Sequence, residues 1–228
     1  PIDEFLLYAE VIIFNADSDS IIKPRVAVYG FTDAKFEMGK TLYREALDLH
    51  NAQKQEYGEQ VAATTELNEL WVRADRQYMK TLKIARIALA GNPMVDQAMM
   101  LYGIRKESLP GWLEQARAFY GNIIKRPEYL EAMRGYGYTK EMLIDEGKVL
   151  DQIEAKILQK RQETGEAQAA TKARDKKIDE LAKFVAELRA VAKVALADDP
   201  QQLEKLGILA RSSPAARSQK TPESGPSA

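Results

Sequence analysis

Gly39-Lys40-Thr41 has the residue types that close a phosphate-binding loop, where backbone N–H groups cradle phosphates and a lysine and a hydroxyl complete the site. That motif needs a glycine five residues before its second one and a strand leading into it. Here Ala34 holds the glycine position and the stretch lies within a helical pattern, so no nucleotide site is expected. Di-metal chemistry between helices asks for Glu-x-x-His on facing rods. His50 is the only histidine and has Leu47 three residues before it, so it reads as a solvated or core-edge donor. Carboxylates alone can hold magnesium or calcium, but the chain has no EF-hand loop. The absence of cysteine removes thiol nucleophiles, disulfides and thiolate metal sites. A Ser-His-Asp arrangement would depend on His50, which has no strand-turn context. The expectation is a chain with no cofactor and no catalytic or metal-ligating residue.

Binding residues are easier to nominate. The chain carries 33 basic and 34 acidic side chains, a net charge of −1, so any electrostatic partner must be met by a local patch. Residues 49–70 net −3 and residues 156–177 net +4. Opposite fields of this kind favour the two stretches lying together. A sharper reading has Lys160, Arg161, Lys172, Arg174, Lys176 and Lys177 meeting an acidic partner. Aromatics do not interleave with these cations, which argues against sequence-specific nucleic-acid binding. Tyr29, Trp112, Phe119, Tyr120 and Tyr136 are candidates for an aromatic-lined small-molecule pocket at the base of the fold.

The elements that must position these residues repeat. Tyr29-Gly30-Phe31-Thr32 returns as Tyr136-Gly137-Tyr138-Thr139, an offset of 107. Ile84-Ala85-Arg86-Ile87-Ala88-Leu89-Ala90 returns as Val191-Ala192-Lys193-Val194-Ala195-Leu196-Ala197 at the same offset. This pattern marks a tandem duplication of a helical unit. Each Tyr-Gly-aromatic-Thr reads as stop, turn and restart: glycine ends a short helix, threonine caps the next, and Phe31 with Phe36 or Tyr138 with Leu143 has the spacing of a hydrophobic staple.

The long helices predicted from about Asp33 and Lys140 carry Gly39 and Gly147 internally, where glycine costs about 1 kcal/mol against alanine. Close approach of a neighbouring side chain is the expected reason. Gly58 and Gly165, each followed by small polar residues and an Ala-Ala-Thr triplet, read as the tips of helical hairpins, giving rods of roughly 25 residues, or about 37 Å; the rival is one uninterrupted helix of roughly 58 residues, about 87 Å long. On the returning rods Trp71, Ala74, Tyr78, Thr81, Ala85 and Ala88 share a narrow seam, and Ile178, Leu181, Val185, Leu188, Ala192 and Ala195 hold the same register. Asn92-Pro93 and Asp199-Pro200 place a side-chain acceptor before a proline and predict capped restarts.

The fold expected is all-α: tandem-duplicated helical hairpins packed as a four-helix bundle with short helices at one end. Residues 1–211 form a single bundle of two pseudo-repeats, about 5–108 and 112–211, and 212–228 form a disordered tail. No apolar run reaches the length of a transmembrane helix, and Asp3 and Glu4 stand where a secretory signal carries positive charge. No membrane association is expected, and the cytoplasm is the expected location. The expected function is a non-catalytic structural or protein–protein interaction module, through a partner or self-association. The alternative is a small-molecule-binding bundle using the aromatic pocket.

Overall fold

A computed structural model describes residues 1–91 and 93–209, and among them every regular element is helical. In order these are α1 (Ile2–Ser18), α2 (Ile22–Ala27), α3 (Asp33–Ala88), α4 (Pro93–Ala98), α5 (Leu109–Lys125), α6 (Pro127–Arg134), α7 (Lys140–Ala195) and a 3-10 helix at Pro200–Leu206. Helices α5 and α7 begin and end 107 residues after α1 and α3, as 109 − 2 and 140 − 33 show for their starts. None of these helices is long and apolar enough to cross a membrane.

The turns form as their residues dictate. Gly30 and Gly137 take φ of 93° and 83°, the left-handed backbone that glycine adopts without a Cβ penalty. Thr139 Oγ1 accepts the Met142 N–H at 3.2 Å, capping α7. At Thr32 the backbone carbonyl receives the Lys35 and Phe36 N–H groups. The staple closes α3's entry, with the Phe31 and Phe36 rings 5.8 Å apart and both side chains buried. Asp199 departs from its expected capping role: its carboxylate accepts the Gln202 side-chain amide and makes no cap bond to the backbone. Asn92 and the tail from 212 lie outside the described residues.

The hairpin tips expected at Gly58 and Gly165 do not form. Helices α3 and α7 run through them as single 56-residue helices, so two long helices stand where four rods of about 25 residues were expected. Three local features accompany the unbroken helix. Neither glycine takes a positive φ. Gln55 bonds Glu59 at 2.9 Å and Gln162 bonds Glu166 at 3.0 Å, so an i,i+4 side-chain bond spans each glycine. The threonines read as restart caps belong to the helix interior, where Thr171 Oγ1 donates to the Ala167 carbonyl at 2.9 Å. A lone glycine costs about 1 kcal/mol; leaving the helix there would give up a full set of terminal backbone bonds.

The chain divides into two compact units, Pro1–Asn51 with Ala173–Ala228 and Ala52–Lys172. Neither coincides with one sequence repeat: unit 1 holds α1, α2 and the 3-10 helix, unit 2 holds α4, α5 and α6, and each takes a portion of both long helices. In unit 1, Lys35 meets Glu187 and Glu45 meets Lys177, so α3 and α7 run antiparallel. Its core gathers Ile12 and Ile13 of α1, Phe31, Phe36 of α3, and Leu181, Phe184, Leu188 of α7. In unit 2, Glu66 meets Lys156 and Gln77 meets Glu146, again antiparallel. Its core gathers Tyr78, Leu82, Ala85 of α3, Trp112, Phe119, Tyr120 of α5, and Leu143, Leu150 of α7. Along the seam read from the sequence, all twelve positions are buried or half-buried.

Candidate functional site

Trp112, Phe119 and Tyr120 are seven and eight residues apart on α5, two turns of one helical face, and all three are buried in unit 2. They pack with Tyr78 of α3, whose ring centroid lies 6.0 Å from Trp112, 5.6 Å from Phe119 and 6.1 Å from Tyr120. Trp112 Nε1–H donates to Asp75 at 2.7 Å, and Arg105 donates to the Tyr78 hydroxyl at 2.9 Å. The Trp112 and Tyr78 polar groups thus have partners, as Trp and Tyr in a core require, whereas Nε1 of Trp71, whose ring lies 6.3 Å from that of Trp112, is buried without one.

Beside the cluster, α7 presents Glu146. Its Oε2 accepts from Thr81 Oγ1 at 2.8 Å and from the Tyr120 hydroxyl at 2.9 Å, while Oε1 accepts from Gln77 Nε2 at 2.7 Å. The Tyr138 hydroxyl stands 3.4 Å from the Thr81 oxygen. Burial, and after it the neighbouring Glu146 charge, push the Tyr120 phenol far above its ordinary value, so it remains a neutral donor. Around this carboxylate opens a cleft of about 350 Å³, lined by Ala74, Gln77, Tyr78, Trp112, Tyr120, Met142, Asp145, Glu146, Val149 and Leu150. An apolar pocket with a few convergent polar groups is the usual form of a small-molecule site.

The same positions in unit 1 have a different chemistry. At the 107-residue offset Glu146 corresponds to Gly39, Gln77 to Phe184, Thr81 to Leu188, Tyr120 to Ile13 and Tyr138 to Phe31. There the Phe184 ring lies on the α3 backbone: a Cβ added to Gly39 would stand 2.3 Å from its Cε1. One unit fills this place with a ring on a glycine; the other holds a hydrogen-bonded carboxylate beside open space.

No protein-family model, curated protein or solved structure matches the chain.

Of the aromatic residues nominated from the sequence, Trp112 and Tyr120 line the cleft and Phe119 stands behind them. Tyr136 is 50% exposed in the turn before Gly137 and does not line it. Tyr29 belongs to unit 1, where it is 53% exposed. The sequence reading missed Gln77, Thr81 and Glu146 because it matched Gly39 with Gly147, one residue off the repeat. A strict 107-residue offset sets Gly39 against Glu146 and was the signal available. The close-approach reading holds at Gly39 alone; a Cβ on Gly147 would sit 3.7 Å from Tyr120 Cβ, an ordinary contact.

The six basic candidates lie along the continuous α7 helix, not at a hairpin tip. Lys160, Arg161 and Lys172 are in unit 2, and Arg174, Lys176 and Lys177 in unit 1. Lys177 is engaged by Glu45 at 3.0 Å and Glu180 at 2.7 Å, and Arg174 by Asp175 at 2.7 Å. His50, buried in unit 1, bonds Asp3 through Nε2 at 3.0 Å.

A second polar group in unit 2 is formed by Glu56, Glu163 and Glu166, whose nearest oxygens lie within 4.8 Å of one another. The Oε2 atoms of Glu56 and Glu163 are buried without a hydrogen-bond partner. Desolvation, then the charges of Glu59, Glu166 and Glu163, raise the Glu56 pKa. These oxygens have the hardness and spacing to hold magnesium or calcium.

Proposed function

We propose that this chain is a non-catalytic helical module that arose by tandem duplication and acts by binding, with the unit 2 cleft as its small-molecule site. The observation carrying this reading is the exchange of Phe184 on Gly39 in one unit for Gln77 on Glu146 in the other. A duplicated core needs no such exchange to pack, since unit 1 already fills the position with apolar groups. Replacing both partners of a buried hydrogen bond by apolar groups of the same shape can be nearly neutral or stabilising. Packing alone therefore does not require the polar form, and a binding role accounts for keeping it.

The test transplants unit 1 residues at the 107-residue offset: Gln77→Phe, Thr81→Leu, Tyr120→Ile and Glu146→Gly together. Thermal unfolding should show a midpoint equal to or above that of the parent chain. A large fall would mean that the Glu146 network holds the fold together, and the cleft would lose its standing as a site kept for binding.

A structural or protein–protein role is a second reading, supported by Tyr57 and Val61. They lie one helical turn apart on α3 in unit 2 and are 59% and 48% exposed. A self-association or partner role through them predicts an oligomer that Tyr57→Ser with Val61→Ser dissolves in sedimentation; a chain that is monomeric at all concentrations argues against self-association there.

A further inference from the structure

The charge and hydrogen-bond accounting at Glu146 narrow what the cleft would accept. This inference rests on the binding role proposed above. Asp145 and Glu146 both line the cleft, and no basic side chain does. Asp145 has a counterion in Lys148 at 2.7 Å. Glu146 is half-buried and its described partners are neutral: an amide, a hydroxyl and a phenol. Its negative charge is thus held in place by dipoles, and no cation among the described residues forms an ion pair with it.

An ionised carboxylate offers about four lone-pair positions. Two on Oε2 are taken by Thr81 and Tyr120, and one on Oε1 by Gln77. One remains. A primary ammonium brings three N–H donors and would leave two of them without this carboxylate as partner. An alkylated ammonium, with one N–H or none, brings the charge without that desolvation cost. The rest of the lining favours the same class. Tyr78, Trp112 and Tyr120 line the cavity and no basic side chain does, and aromatic rings attract organic cations.

We propose that the unit 2 cleft binds an alkylated organic ammonium ion, with Glu146 as its counterion and Tyr78, Trp112 and Tyr120 as its aromatic walls. Unit 1 offers no equivalent, because Gly39 and Phe184 occupy the corresponding positions.

The probe is choline, set against its uncharged carbon isostere 3,3-dimethylbutan-1-ol and against ethanolammonium, with binding to the full chain measured by calorimetry and tryptophan fluorescence. Choline should bind with a dissociation constant on the order of 1 mM, and its isostere about tenfold more weakly, the equivalent of about 1.4 kcal/mol. Ethanolammonium should also bind more weakly than choline. Glu146→Gln should remove the preference for choline over the isostere, with a far-UV melt confirming that the variant folds. Ala74→Met leaves the carboxylate intact, fills the cleft, and should abolish binding of both. Equal binding of choline and its isostere, or an undiminished preference in Glu146→Gln, would overturn the ammonium assignment while leaving a binding cleft. Absence of binding by all three probes at about ten times that concentration would overturn the ammonium assignment; the transplant above tests the cleft itself without a ligand.

Discussion

Alanine at both Gly58 and Gly165 should make the protein more stable. Each glycine lies inside an unbroken helix without a positive φ, and a Cβ built on either meets nothing within 4 Å. The change therefore adds no clash and removes only the entropic cost of glycine in a helix, about 0.8–1.0 kcal/mol per position. The Gln55–Glu59 and Gln162–Glu166 bonds span the substituted positions and are untouched by a methyl group. Together the two changes should contribute about 1.6–2.0 kcal/mol. For a chain of this size, each kcal/mol moves the melting midpoint by about 2–4 °C, so the double variant should melt about 3–8 °C above the parent. Circular dichroism at the helical minimum during a thermal ramp is the assay, with both single variants included to check that each supplies about half. Hairpin tips would give the opposite sign, since glycine past a helix end takes a left-handed backbone that alanine resists by about 1 kcal/mol. A lowered midpoint would refute the continuous-helix account of both positions.

Gly39→Ala should destabilise, because its Cβ would enter the Phe184 ring, which is buried and packs edge-on against Phe31 at 5.8 Å. Overpacking of this kind costs about 1–3 kcal/mol, partly offset by the helical gain, whereas Gly147→Ala should gain up to about 1 kcal/mol; denaturant midpoints compare them. Stability should also depend on acid through Asp19. Its carboxylate is held down to about 2 by the Lys205 bond and then by the Ile22 and Ile21 N–H groups. A lowered folded-state pKa gives stability that is present above the unfolded value of 3.8 and lost as pH falls through about 2. The melting midpoint should therefore drop across that interval, and Asp19→Asn should lower the midpoint at neutral pH and flatten the drop.

The turns and the buried faces were readable in the sequence because each is set by neighbours close along the chain. Glycine before aromatic-Thr fixes the restarts, and the 3-4 spacing from Trp71 to Ala88 fixes a seam. The course of the chain at Gly58 and Gly165 was not readable from residue types alone. Glycine and threonine favour a break, and what outweighs them is one side-chain bond across each glycine plus an antiparallel neighbour along the helix. The Glu146 site was hidden for a different reason. Gln77, Thr81, Tyr120 and Glu146 come from three helices, and their convergence depends on which part of α3 lies against which part of α7. A hairpin reading pairs each long helix with itself and so separates them.

The division of the chain also orders events during synthesis. Unit 2 is one contiguous segment and can assemble once residue 172 has left the ribosome. Unit 1 has to wait for the other end: Asn15 bonds the Lys205 carbonyl and Asp19 the Lys205 amine, across separations of 190 and 186 residues. Until the second half of α7 has been made, the apolar faces of α1 and the start of α3 lack the strip that covers them. These faces are thus sheltered long after they are made, and a chaperone or a neighbouring nascent chain would find them exposed while the intervening residues are synthesised.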